Sequence, residues 1–347
     1  MSPHTGVLLV NLGTPDSPQV PDVRRYLREF LMDGRVIDIP AWQRFLLVQG
    51  IIAPFRAPKS AAEYQKLWTE SGSPLLIYGV KIREMLQAAL GEEYQVELGM
   101  RYQNPSIREA LDKFALRSLK KLVVVPLYPQ YASASTGSSI EKVLDELRRM
   151  ETFPRLEVVS QFFDHPLFLE AFAEIGRNYI AKKDYDHYLF TYHGLPERQI
   201  RKSSTGYCQL SAKCCSVLHD RNRYCYRAQC YETTRLLVQR LGIEEGRYTV
   251  SFQSRLGRDP WIKPYTDKVI DELAAQGVKR ILAFSPSFVA DCLETTVEIG
   301  ETYYEQFVAQ GGEWLDLANS LNDHPLWVDC LTDLVLNNAV PAAVETP

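Results

Sequence analysis

Short runs of β-branched and aliphatic residues recur along this chain, separated by stretches of helical periodicity. That alternation constrains the fold more than any other feature. The runs lie at residues 7–10, 94–99, 122–127, 156–159, 187–192, 248–252 and 280–284, with a weaker one at 313–317. Helical stretches lie at 20–31, 81–90, 139–150, 167–181, 231–241 and 268–276. Strands separated by helices need crossover connections, which predict a mainly parallel sheet covered on both faces. Over 347 residues, eight strands suit two four-stranded units better than one long sheet. The pattern predicts an α/β chain divided near Asp164-His165-Pro166, with an N-terminal half over 1–165 and a C-terminal half over 166–347.

Composition narrows the function classes. Hydrophobic residues make up 46% and charged residues 24%, enough apolar side chain for a core and too much for a disordered chain. The net charge of −4 carries no basic excess of the kind that marks a nucleic-acid partner. No apolar run reaches the ~18 residues of a membrane span. The opening MSPHTGVLLVNLGTP lacks the basic and long apolar regions of a secretion signal, so the expectation is a cytoplasmic chain. The tail 337–347 is expected to be frayed and to carry no function.

Parallel sheets place their working loops at the carboxyl ends of the strands. Three such loops stand out: Asn11-Leu12-Gly13-Thr14-Pro15, His193-Gly194-Leu195-Pro196 and Ser285-Pro286-Ser287-Phe288. A fourth segment, 40–59, breaks the rhythm with Trp42, Phe45, Leu46, Leu47, Ile51, Ile52 and Phe55 at loosely helical spacing. It reads either as a core helix or as an apolar lip at a hydrophobic pocket that could touch a membrane surface.

His193 follows an apolar strand and precedes a glycine, which lets the backbone turn and leaves the imidazole accessible. His4, His165, His187, His219 and His324 read as ordinary hydrogen-bonded histidines. Glu294, Glu298 and Glu301 are spaced i, i+4, i+7, which on an α-helix puts three carboxylates on one face. Exposed, they are a solvated face. Lining a cleft, they are a ladder for cations or protons, with Glu301 the least secure because Gly300 interrupts the helix. Five of the seven cysteines fall between Cys208 and Cys230, at 208, 214, 215, 225 and 230. In a reducing compartment such a cluster favours metal over disulfides. No C-x2-C pair is present, so a zinc finger fits poorly; by spacing alone an iron–sulfur cluster, zinc and unligated thiols all remain open.

Taken in order, the motifs resemble the ferrochelatase family over residues 5–316. The resemblance rests on Val10-Asn11-Leu12-Gly13-Thr14-Pro15, Ser71-Gly72-Ser73-Pro74, Gly99-Met100-Arg101-Tyr102 and Tyr128-Pro129-Gln130-Tyr131 with Ser135-Thr136-Gly137-Ser138-Ser139. It continues through His193-Gly194-Leu195-Pro196, Phe252-Gln253-Ser254-Arg255 with Pro264-Tyr265-Thr266, and Phe288-Val289-Ala290-Asp291-Cys292-Leu293-Glu294-Thr295.

The resemblance implies a chelatase-like fold: two similar Rossmann-like halves, each with a mainly parallel four-stranded sheet flanked by helices, around a porphyrin cleft. It implies insertion of Fe2+ into protoporphyrin IX, with His193 and Glu294 as catalytic residues that also handle the substrate iron. Glu298 and Glu301 would form an acidic path. Leu12, Tyr131 and Phe288 match pocket walls, Arg56, Lys59 and Ser73 match propionate donors, and Arg101 lies nearer the metal side. Some relatives carry a second histidine where this chain has Cys292. Leu12 in its NLGTP context resembles the protoporphyrin type rather than the coproporphyrin type. The insert over about 200–230 resembles the internal cluster-bearing segment of some members. This implies a [2Fe-2S] centre on Cys208, Cys215, Cys225 and Cys230, with Cys214 as alternate and Cys292 and Cys330 outside the set. The rival readings are a bilobal carrier of metal or tetrapyrrole and a chelatase for coproporphyrin or another metal. A carrier has no need of a proton acceptor over the pyrrole nitrogens.

Overall fold

The computed structural model describes residues 4–114, 119–204, 206–255, 257 and 259–337. Most of the tail, 338–347, lies outside the described residues. The chain forms two compact units. One is drawn from Met1–Tyr128, Ala132–Gln161 and Leu331–Val340, the other mainly from Phe162–Cys330 together with Pro129–Tyr131.

The first unit holds β1 (Thr5–Asn11), β2 (Tyr94–Met100), β3 (Lys121–Pro126) and β4 (Arg155–Val158), in the order β2-β1-β3-β4. The second holds β5 (His187–His193), β6 (Tyr248–Gln253), β7 (Arg280–Phe284) and β8 (Trp314–Leu317), in the order β6-β5-β7-β8. Every pairing in both sheets is parallel. The eight predicted strands and the two four-stranded α/β halves are thus borne out. The central strands β1 and β5 are largely apolar, with Val7–Val10 in β1 and Tyr188–Phe190 in β5, because both faces are covered. In the first unit Leu8, Val10, Leu122 and Val124 pack with Ile107, Leu111, Val143 and Leu147 from flanking helices. In the second, Leu189, Ile281 and Ala283 pack with Ile270, Leu273, Ile299 and Phe307.

The predicted helices are present. Two begin earlier than expected, at Pro74 and Tyr226. Pro74 stands at the first helical position, where its missing N–H costs nothing. Segment 40–59 is helical throughout: Ala41–Leu47, a π-turn at Val48–Ile52, then Ala53–Leu67. It is not a core helix. Trp42, Phe45, Leu46, Ile51 and Phe55 are all exposed, Phe55 by 78%, and the buried positions are the small Ala53, Ala57, Ser60 and Ala61 with Val48, Tyr64 and Leu67.

Four of the histidines read as ordinary, His165, His187, His219 and His324, do have hydrogen-bond partners. His187 pairs with Thr249 Oγ1 at 2.9 Å, and burial, with the Arg247 charge, pushes its pKa down to about 4. The folded state therefore favours the neutral ring. Its contribution to stability is full above pH 6.5 and is lost as pH falls towards 4. The urea midpoint is expected to fall across that window, and His187→Gln to make the fall shallower.

Candidate active site

The site is built at the carboxyl end of the second sheet, where β5 lies between β6 and β7. His193 is the last residue of β5 and pairs in register with Gln253, the last of β6. Its backbone is held by side chains. The N–H donates to Ser287 Oγ at 3.4 Å, and the carbonyl accepts from the Tyr226 hydroxyl at 2.8 Å. The half-buried ring lies near Trp261 and Phe288, with centroids 6.3 and 6.5 Å away. Its Nδ1 is 2.6 Å from the Gly194 carbonyl oxygen. A carbonyl only accepts, so Nδ1 carries the proton of the neutral ring and Nε2 keeps its lone pair.

Gly194 is not there to turn the chain. It is there because the chains approach closely: its N–H donates to the Gln253 carbonyl at 2.8 Å, and a Cβ would stand 2.8 Å from that same oxygen. Gly194→Ala must therefore part the ends of β5 and β6. It is expected to cost about 1–3 kcal/mol, read as a lower urea midpoint, and to slow turnover by displacing His193.

The helix after β7 departs from expectation. Leu293–Tyr303 is a π-helix, not an α-helix. Each of its turns takes in about one more residue than an α turn, so position i+7 no longer lies beneath position i. The single face of Glu294, Glu298 and Glu301 is therefore corrected: Glu301 turns away from the line that joins the other two. Cys292 caps this helix in a reciprocal pair with Thr295. Its thiol is buried, and burial together with the neighbouring Glu294 charge pushes its pKa up.

Glu298 is the most tightly held carboxylate of the site. Oε1 accepts from the Ser254 N–H at 3.0 Å and the Tyr303 hydroxyl at 2.9 Å. Oε2 accepts from the Ser254 hydroxyl and from Gln253 Nε2, and Gln253 also donates to the Glu294 carbonyl at 2.8 Å. Ser254 reaches both oxygens from a left-handed backbone at φ 66°, a conformation that costs a non-glycine residue about 1–2 kcal/mol. Burial raises the Glu298 pKa. The Ser254 and Tyr303 hydrogen bonds, and His193 when its ring is protonated, pull it down, and Glu294 pushes it up; the net direction is up. Ser254 and Gln253 stood in a quoted motif without a role, and Tyr226 and Tyr303 carried no sequence signal.

The expected pocket residues are placed as follows. Phe288 lies beside the His193 ring, and half-buried Tyr131 donates its N–H to Gln229 Oε1. In the first unit, Leu12 is half-buried after β1, and Arg56 and Lys59 are exposed on Ala53–Leu67. Ser73 is buried and accepts from the Thr14 hydroxyl at 3.0 Å. The Arg101 guanidinium is committed to Asp33 and Ser138. Burial pushes the Asp33 pKa up, but the Ser138 hydroxyl, the Arg35 N–H and the Arg101 charge outweigh it and hold the carboxyl low.

The cysteine insert sits beside this site. Cys214, Cys215, Cys225 and Cys230 are buried and Cys208 is half-buried. The Cys214 and Cys215 sulfurs are 3.9 Å apart, and Arg227 Nη1 donates to Cys215 Sγ at 3.1 Å. Cys225 and Cys215 each perturb the other's protonation. Interaction with Cys215, with N–H groups at the start of Tyr226–Leu241, brings the Cys225 thiol down to about 6 despite burial, while Cys215 moves up. Among the described residues, no three His, Cys, Asp or Glu side chains gather into a cradle for a single metal ion.

Comparison with known proteins agrees with this architecture. A family model described as Ferrochelatase matches residues 4–339. A ferrochelatase of Legionella pneumophila (strain Lens) is 49% identical over 330 residues, covering 95% of this chain and 98% of the relative. One of Coxiella burnetii (strain Dugway 5J108-111) is 46% identical over 334 residues, covering 95% and 92%. The solved structure of SirB from Bacillus subtilis with Fe3+ superposes with a TM-score of 0.54 at 12% identity, covering 98% of this chain and 96% of that one, a likeness of fold. The chain belongs to the ferrochelatase family.

Proposed function

We propose that this chain, a ferrochelatase that makes heme by inserting ferrous iron into a porphyrin, takes protoporphyrin IX and uses His193 as first proton acceptor. The observation that carries this reading is the Nδ1 contact to the Gly194 carbonyl, which leaves Nε2 free to accept. A free-base porphyrin carries two pyrrole N–H protons. Fe2+ replaces both, so the reaction yields protoheme and two protons. Nε2 takes a pyrrole proton; Glu298, whose raised pKa suits it to proton uptake, passes protons on with Glu294. His193 and Glu294 handle the incoming Fe2+ together with the macrocycle's own nitrogens, and Glu301 serves only the outer end of that path.

Leu12, Tyr131 and Phe288 wall the macrocycle. Arg56, Lys59 and Ser73 bind its propionates, and Arg101 supplies a charge fixed by Asp33. The test is anaerobic incubation with Fe2+ and either protoporphyrin or coproporphyrin, followed by absorption. Faster metallation of protoporphyrin is expected. No metalloporphyrin above the protein-free rate overturns the reading, and preference for coproporphyrin overturns the substrate assignment.

We propose further that the cysteine insert binds a [2Fe-2S] centre through Cys208, Cys215, Cys225 and Cys230, with Cys214 as alternate, although among the described residues no three of these thiols are gathered. The support is a set of mostly buried thiols that interact in pairs, next to an arginine that offsets thiolate charge. Such a centre supplies one-electron chemistry when bound. Brown colour with matched iron and sulfide in anaerobically purified protein is the expected result.

No helix among the described residues is long and apolar enough to cross a membrane. The exposed Trp42, Phe45, Leu46, Ile51 and Phe55 suit peripheral contact of a cytoplasmic enzyme with a bilayer. Flotation with lipid vesicles, lost in Trp42→Ser/Phe55→Ser, tests it.

A further inference from the structure

Tyr226 stands where the thiol site and the catalytic strand meet. It opens helix Tyr226–Leu241, directly after Cys225 and one turn before Cys230. It is buried, and its hydroxyl donates to the His193 carbonyl at 2.8 Å. Cys230 lies on the next turn of the same helix and is fully buried. Ser287 Oγ accepts the His193 N–H. The His193 N–H therefore ends on Ser287, while its carbonyl ends on a phenol carried on the turn that follows Cys225 and leads to Cys230.

From this we infer that Tyr226 is a positioning residue that couples the state of the insert thiols to the orientation of His193. The carbonyl it holds belongs to the peptide joining His193 to Gly194, and the Gly194 carbonyl fixes Nδ1. That peptide has little slack, because Gly194 is pressed against Gln253 and Trp261. Any change at the thiols that moves the first turn of the helix must either carry the phenol with it or break a buried hydrogen bond. The effect is then on the aim of Nε2, while the porphyrin-contacting side chains stay in place. The inference rests on the reading of His193 as proton acceptor.

The test is a double-mutant cycle of Tyr226→Phe and Cys230→Ser with two readouts. One is kcat and porphyrin KM. The other is the rate at which diethyl pyrocarbonate labels His193, followed by mass spectrometry, which needs no turnover. Tyr226→Phe is expected to lower kcat about tenfold with KM held within about twofold. Cys230→Ser is expected to change His193 labelling at least about threefold when Tyr226 is present and to have no effect in the Tyr226→Phe background. Equal effects of Cys230→Ser in both backgrounds overturn the coupling. If Tyr226→Phe does not fold, Cys230→Ser alone decides, and an unchanged labelling rate overturns it. Coupled labelling in an enzyme that tolerates His193→Ala would instead leave the link standing and remove the catalytic role of His193.

Discussion

Replacing His193 by alanine is expected to lower the rate of metalloporphyrin formation about 10³-fold, within the range of a lost general base, and to leave the melting temperature nearly unchanged. The two halves of this expectation have separate causes. The ring makes its close contact with the carbonyl of the next residue and packs at a distance on Trp261 and Phe288. The bonds that secure the strand end come from backbone atoms, which alanine keeps. Turnover, by contrast, loses the lone pair proposed to accept the pyrrole protons. Porphyrin binding, measured by fluorescence quenching, should persist, and added imidazole should restore part of the rate. Near-native turnover without imidazole would reassign the proton acceptor.

Glu298→Gln should lower kcat about 10²-fold with porphyrin affinity retained. The carboxylate is an acceptor at both oxygens, surrounded by the donors of Ser254, Gln253 and Tyr303. An amide keeps the shape but presents a donor to one of those donors, and it cannot take up a proton. The pH dependence of stability gives an independent check. The pKa is raised in the folded state, so folding favours the protonated acid. That contribution is full below the ordinary value of 4.5 and is lost as pH rises through the raised value. The glutamine variant lacks this slope, so its stability relative to the parent should improve as pH rises through the window. A variant that loses stability with rising pH as the parent does would show that Glu298 is not the group responsible.

The strands were readable because a parallel strand covered on both faces is mostly apolar; Val7–Val10 in β1 and Tyr188–Phe190 in β5 are clear cases. The weakest run became β8, an edge strand of four residues with charged Asp316 in it. The π-helix was not readable, because Glu294, Glu298 and Glu301 have the same spacing whether a turn is narrow or wide. Its width is supported from outside, by Ser254 and Gln253 reaching across from β6. Likewise, nothing local marks Tyr226 as a partner of His193, and the exposure of Phe55 depends on which helix face the neighbours cover. His193, Glu294 and the thiols were singled out because their chemistry is written in residue type and motif. The groups that orient them were not, because orientation is a property of tertiary contact.

The matching strand orders of the two sheets have a consequence for how labour is divided within the chain. Asn11 ends the central strand of the first sheet as His193 ends that of the second, each paired in register with the last residue of its neighbour. A π-turn, Ser133–Gly137, follows β3 as Leu293–Tyr303 follows β7. The same architectural slot thus holds a titratable ring in one half and an amide in the other, where Asn11 Oδ1 merely accepts the Leu12 N–H. An amide neither gains nor loses a proton near neutrality. With His193 as the proposed proton acceptor, proton traffic is confined to one of two equivalent positions, and the other is free to be selected for shape alone.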